Sequence, residues 1–117
     1  MENHLLDAII RSDLAYFILP NYCDYPCANF FIFNERSQGF FQGRPDLLDV
    51  YEKVPKRAVV ISNTNEENFR QALAYQAYKE PDILFLPAKE YGKDSIQGDL
   101  LTNEKAGSDI IAFVQKQ

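Results

Sequence analysis

Cys23 and Cys27, spaced C-x-x-x-C, are the first residues of this 117-residue chain whose types and spacing suggest chemistry. In a helical segment that spacing sets two sulfurs on adjacent turns, which permits thiol exchange or supplies two soft ligands to a metal. A metal needs more soft ligands than these, and the sole histidine, His4, stands near the start of the chain. No C-x-x-C is present, and two thiols in a chain able to bury its own core do not make a disulfide framework. Both cysteines are therefore expected to be reduced, in structural or incidental roles, with no metal site. A Ser/His/Asp or Cys/His unit would likewise have to recruit His4, where a fraying terminus holds hydrogen-bond geometry poorly.

Asp46 with Asp49 and Glu66 with Glu67 bring carboxylates close in sequence, but these positions read as solvated helix starts, which favour negative charge. They nominate no acid/base pair. Lys89, Lys93 and Lys105 would attract a nucleotide phosphate were they not interspersed with Glu90, Asp94, Asp99 and Glu104, so a mixed solvated surface is expected there. Arg36 and Arg44, which flank a glycine-containing loop, are the better candidates for an anion contact. The formal charge of −5 and the absence of any Lys/Arg run remove the electrostatic basis for nucleic-acid binding. The longest apolar run, Leu14 to Pro20, is far too short to cross a bilayer, and the first ten residues lack the basic start and apolar middle of a secretion signal. A cytoplasmic protein is expected, organised as one domain over residues 1–117, with 46% apolar residues to build its core.

Leu5, Leu6, Ile9 and Ile10 recur at the spacing of one helical face and predict a helix from Asn3 to Arg11. Leu14 to Leu19 is continuously apolar, the pattern of a strand covered on both faces, and Pro20 closes it. Residues 21–26 read as a loop. Cys27 to Arg36 suits a helix or, given its aromatics, a strand; helix is preferred. Gly39, Gly43 and Pro45 mark a turn-rich segment before a helical piece from Asp46 to Glu52. Arg57 to Ser62 is a brief β-branched strand. Thr64 and Glu67 have capping-box spacing ahead of a helix with Phe69, Ala72, Leu73, Gln76 and Ala77 on one face. Ile83 to Leu86 is the third strand, and Ala106, Ile110, Phe113 and Val114 stripe the last helix. The order α-β-α-β-α-β-α favours an α/β fold with a short parallel sheet, because each crossover helix must lie back across the sheet to bury its stripe.

Several stretches in this order resemble the flavodoxin-like NAD(P)H-dependent FMN reductases, from the helix before their third strand onward. Ser12-Asp13 leads into Leu14 to Leu19; Pro20-Asn21-Tyr22 is similar to the family's Pro-x-Tyr loop; Phe30 to Arg36 is similar to a segment ending in an aspartate-arginine pair, here Glu35-Arg36. Arg57 to Ser62 with Asn63-Thr64-Asn65 resembles the fourth strand and its loop, and Gly98-Asp99-Leu100-Leu101 with Asn103-Glu104 resembles the segment after the fifth.

The resemblance implies a three-layer, flavodoxin-like α/β domain lacking the N-terminal strands of the family, with FMN as cofactor and NAD(P)H as reductant. It also implies flavin contacts at Pro20, Asn21, Tyr22, Tyr25, Ser62, Asn63, Thr64 and Asn65, with Tyr22 and Tyr25 stacking on the ring; ordinary loop aromatics over the sheet edge are the alternative. The chain departs from the family in having neither its first strand and Ser/Thr/Gly-rich loop nor a GxGxxG or Walker glycine loop, so no phosphate cradle is evident. If the sheet has the order 2-1-3-4-5, Leu14 to Leu19 becomes an open edge. A second copy, a separately encoded N-terminal half or a rearranged local pairing would each cover it, and a two-fold homodimer is the preferred expectation. The rival expectation is a non-catalytic docking or oligomerisation domain that has lost flavin binding, or a fragment of a longer flavoprotein.

Overall fold

The computed structural model describes residues 2–21, 27–62, 66–74, 81–92 and 100–116. Helix α1 (Glu2–Ile10) turns Leu6 fully inward and is closed by Ser12 Oγ, which donates to the Ala8 carbonyl at 2.6 Å. Strand β1 (Ala15–Asn21) follows, then helices α2 (Ala28–Phe41) and α3 (Pro45–Lys53), strand β2 (Lys56–Ser62), helix α4 (Glu66–Ala74) and strand β3 (Asp82–Pro87). Among the described residues, the short 3-10 turns Ala88–Tyr91 and Leu100–Thr102 precede the last helix, α5 (Glu104–Gln115).

The three strands are parallel in the order β1-β2-β3, with Phe17 opposite Ala58 and Ala58 opposite Ile83. Alternation along each strand divides the side chains between two faces. One face carries Leu19, Ala58, Val60 and Phe85, covered by Phe30 of α2 and by Phe69 and Leu73 of α4. The opposite face carries Val59 and Leu86, covered by Ala106 and Phe113 of α5. The result is a three-layer α/β arrangement of flavodoxin-like type, with helices on both sides of a short parallel sheet. A third apolar cluster joins α1, the end of α2 and α3 through Leu6, Phe41 and Tyr51, with no strand residue in it.

Three sequence expectations are corrected. The apolar run of β1 is not covered on both faces: Tyr16 is 37% and Ile18 72% exposed, because α5 packs over β2 and β3 and leaves the β1 side of that face open. Pro20 does not end the strand, since Pro20 pairs with Ile61 and Asn21 with Ser62; an edge strand tolerates the missing N–H. Helix α2 does not stop at Arg36 but runs through Gly39 to Phe41. One exposed glycine costs a helix about 1 kcal/mol, which the burial of Phe41 against Tyr51, ring centroids 4.9 Å apart, outweighs. The turn-rich segment shrinks accordingly to Gln42–Arg44, where Gly43 takes the left-handed φ of 72° that a side chain resists. Thr64, Gln76 and Ala77 lie outside the described residues.

Candidate functional site

Parallel strands end on the same side of a sheet, and in register Asn21, Ser62 and Pro87 stand side by side at the carboxyl ends of β1, β2 and β3. Asn21 and Ser62 belong to the face that carries Leu19 and Val60, roughly 4.8 Å apart as neighbouring strands are. Both are buried, at 1% and 0% exposure, among the few polar residues of the core. Two uncharged polar side chains taken out of water at adjacent strand ends are an unusual investment on a face that β1 otherwise lines with Ala15, Phe17 and Leu19. Pro20 points to the other face and is half-buried.

Of the residues expected at a flavin, the structure thus brings Asn21 and Ser62 together and sets Pro20 beside them on the opposite face. Tyr22, Tyr25, Asn63, Thr64 and Asn65 lie outside the described residues. Cys27 is a half-buried free thiol at the N-cap of α2, with an extended backbone (ψ 158°) that precedes the helix. The condition for two sulfurs on adjacent helical turns is therefore not met at Cys27, and Cys23 lies outside the described residues.

Charge on the helices that flank the sheet is uneven. Helix α4, next in the chain after β2, opens on Glu66 and Glu67, so its N-terminal dipole is already complemented and repels a phosphate. Glu66 also accepts from Arg70 Nε at 3.0 Å, an exposed pair of small energetic weight. Asp46 sits in the first turn of α3, and Asp49 pairs with Lys53 at 2.8 Å. The carboxylates read in the sequence as solvated helix starts are exposed in the structure. Among the described residues no cluster of three or more His, Cys, Asp and Glu could hold a metal, and no helix is long and apolar enough to cross a membrane. Arg44 lies over the Phe40 ring at 5.4 Å, while Arg36 is exposed on α2.

Two polar groupings escaped the sequence reading. After β3, the Tyr91 hydroxyl donates to Asp109 at 2.7 Å, and Asn103 donates to the Tyr91 carbonyl at 2.9 Å while accepting from the Ala106 N–H at 3.0 Å. Lys105 stands 5.0 Å above the Tyr91 ring. Burial and the neighbouring Asp109 push the Tyr91 phenol up to about 12. This grouping fastens the start of α5 to the carboxyl end of β3. Its one sequence signal is Asn103, a strong N-cap residue ahead of an apolar stripe. At the opposite end Arg57 donates to the carbonyls of Phe113 at 3.3 Å, Val114 at 3.4 Å and Lys116, and to Tyr16 Oη at 3.1 Å. Lys116 in turn holds Asp82 at 2.8 Å, keeping that carboxyl below the usual range. Arg57 caps α5 from the sheet, since the last carbonyls of a helix lack intrahelical donors.

Between α2, α3 and the sheet lies a cavity of about 30 Å³ bordered by Phe33, Asn34, Tyr51 and Lys56. It offers room for a water molecule or two, not an organic ligand. No protein-family model, curated protein or solved structure matches the chain.

Proposed function

We propose that this protein is a flavodoxin-like flavoprotein of the NAD(P)H-dependent reductase type, with the isoalloxazine ring of a flavin held beyond the carboxyl ends of β1 and β2. The observation that carries the reading is the pairing of Asn21 with Ser62, buried and polar, at adjacent ends of a parallel sheet. Ligands of open α/β sheets bind in the crevice outside those ends. Uncharged donors and acceptors suit the heteroatom edge of the ring, and the flavin would supply the hydride and electron chemistry while the chain binds and orients it.

The fit is to the ring and not to the phosphate. The first turn of α4 carries Glu66 and Glu67, and the sequence has no glycine-rich phosphate loop. FMN and riboflavin should therefore bind with dissociation constants within about threefold of each other, a difference below roughly 0.7 kcal/mol. Titrating each into the purified chain and following quenching of flavin fluorescence tests this. Saturable quenching by both supports the reading and justifies NAD(P)H oxidation assays. Absence of quenching up to about millimolar flavin, near −4 kcal/mol of binding, removes it.

A second reading, a non-catalytic docking domain, is favoured by one specific observation: the open apolar side of β1 around Tyr16 and Ile18. It predicts no quenching by either flavin.

A further inference from the structure

The free side of β1 has a hydrogen-bonding pattern of its own. The Ala15 N–H donates to the Pro55 carbonyl at 3.0 Å, toward β2. Because N–H directions alternate along a strand, those of Phe17, Leu19 and Asn21 also turn toward β2. Outward face the N–H and C=O of Tyr16 and Ile18, and the carbonyl alone of Pro20. No strand among the described residues pairs with this side. Edge strands are usually guarded by charge, a bulge or short length, yet from Leu14 to Pro20 there is no charged residue. Alongside runs an open, mainly apolar groove of about 700 Å³, bordered by every residue from Ala15 to Pro20, by Leu5 and Ile9 of α1, and by Phe30 and Phe33 of α2.

We propose that this edge pairs antiparallel with the same edge of a second copy, about a two-fold axis through Phe17. In that register Tyr16 lies opposite the partner's Ile18, and Ile18 opposite the partner's Tyr16. Each of these pairs exchanges both N–H···O=C bonds, as alternate pairs in an antiparallel ladder do. Pro20 falls opposite the partner's Leu14, so its missing donor is lost only at the ends. The side chains agree with the backbone. On one face the aromatic and β-branched Tyr16–Ile18 pair occurs twice; on the other Phe17 meets the partner's Phe17 across the axis.

The size suffices as well. A strand of seven residues is ~24 Å long, and a sheet edge plus one helix layer is ~20 Å deep, so each copy contributes on the order of 500 Å² and the pair about 1,000 Å². That meets the roughly 1,000 Å² asked of a biological interface and lies below the ~1,200 Å² at which stable ones begin, so a weak, reversible dimer is expected. The inference stands apart from flavin binding, since it uses the strand edge and not the strand ends.

Sedimentation of the full chain from about 1 to 100 µM, a span bracketing micromolar dissociation, tests it. A reversible dimer is expected, and Ile18→Lys should shift it to monomer with an unchanged far-ultraviolet spectrum, because Ile18 is 72% exposed. A second variant covers the chance that the lysine disturbs folding. Opposed residues of a hydrogen-bonded pair have Cα atoms about 5.5 Å apart, within disulfide reach. The double variant Tyr16→Cys/Ile18→Cys should therefore oxidise to a covalent dimer that the wild type, with its own two cysteines, does not form. Monomer at every concentration, open-ended aggregates, a dimer indifferent to Ile18→Lys, or no cross-link above the wild-type background would each overturn the proposal.

Discussion

Phe69 and Ile111 are both large apolar residues on amphipathic helices, and the sheet decides their worth. Phe69 is 0% exposed beneath the sheet, with its ring 5.9 Å from that of Phe85, whereas Ile111 is 59% exposed. Phe69→Ala should lower unfolding stability by about 3–5 kcal/mol in urea titration, and Ile111→Ala by no more than about 0.5. Tyr91 makes a second prediction, set by pH. Its phenol is raised in the folded state from the ordinary value near 10 to about 12, so folding favours the protonated form. That contribution is complete below pH 10 and fades as pH climbs through about 12. Tyr91→Phe removes it, so the variant's stability should fall less over that window than the wild type's. Phenolate absorbance titration of the wild type should show a late component that Tyr91→Phe lacks. Phe69 was legible in the sequence through its helical spacing with Leu73. The Tyr91–Asp109 bond was not, because it joins residues whose proximity depends on where α5 docks.

Among the elements, α2 shows how a local rule yields to packing. Gly39 and Gly43 look alike as turn markers, yet Gly39 sits inside the helix and Gly43 just beyond its end with φ 72°. A Cβ at Gly39 meets nothing within 4 Å. Gly39→Ala should therefore stabilise the protein by about 0.5–1 kcal/mol, and Gly43→Ala should destabilise it by about 1, measured as shifts of the urea midpoint with unchanged slope. Propensity marked the start of α2 but not its end, which is set by Phe41 meeting Tyr51 of α3. The strands were legible as apolar runs, but the half-exposure of β1 was not, because continuous hydrophobicity reports the residues and not whether a helix arrives to cover them. Arg57 likewise reads as an ordinary strand start until α5 ends above it. Arg57→Ala should speed amide exchange in the last turn of α5 far more than in β2, as followed by mass spectrometry.

The whole molecule is longer than a compact chain of its size, with extents of 47 × 28 × 24 Å and a radius of gyration of 15.1 Å, against about 13 Å for 117 residues. Part of the reason lies in its separate apolar clusters, one of which, formed by α1, α2 and α3, includes no strand residue. Element order and parallel pairing were readable from the alternation of helical and strand segments. Ser62 was legible as the end of a β-branched strand, whereas Asn21 read as the start of a loop, because a proline in front of it hides that the edge strand runs one residue further. Amides of β2, paired on both sides, should exchange most slowly of all, and those of α1 markedly faster.

The parallel pairing also carries a consequence in time. Tyr16 and Arg57, joined side chain to side chain across β1 and β2, are separated by 41 positions. A ribosome adding roughly 5–20 residues each second leaves β1 in wait for β2 for some two to eight seconds. Throughout that interval the uncharged stretch from Leu14 to Pro20 is without its native neighbour, and no hairpin can shelter it. A nascent chain of this protein should accordingly be a strong client for chaperones that bind short apolar segments, and synthesis without them should yield aggregate in proportion to how slowly residues 22–56 are translated.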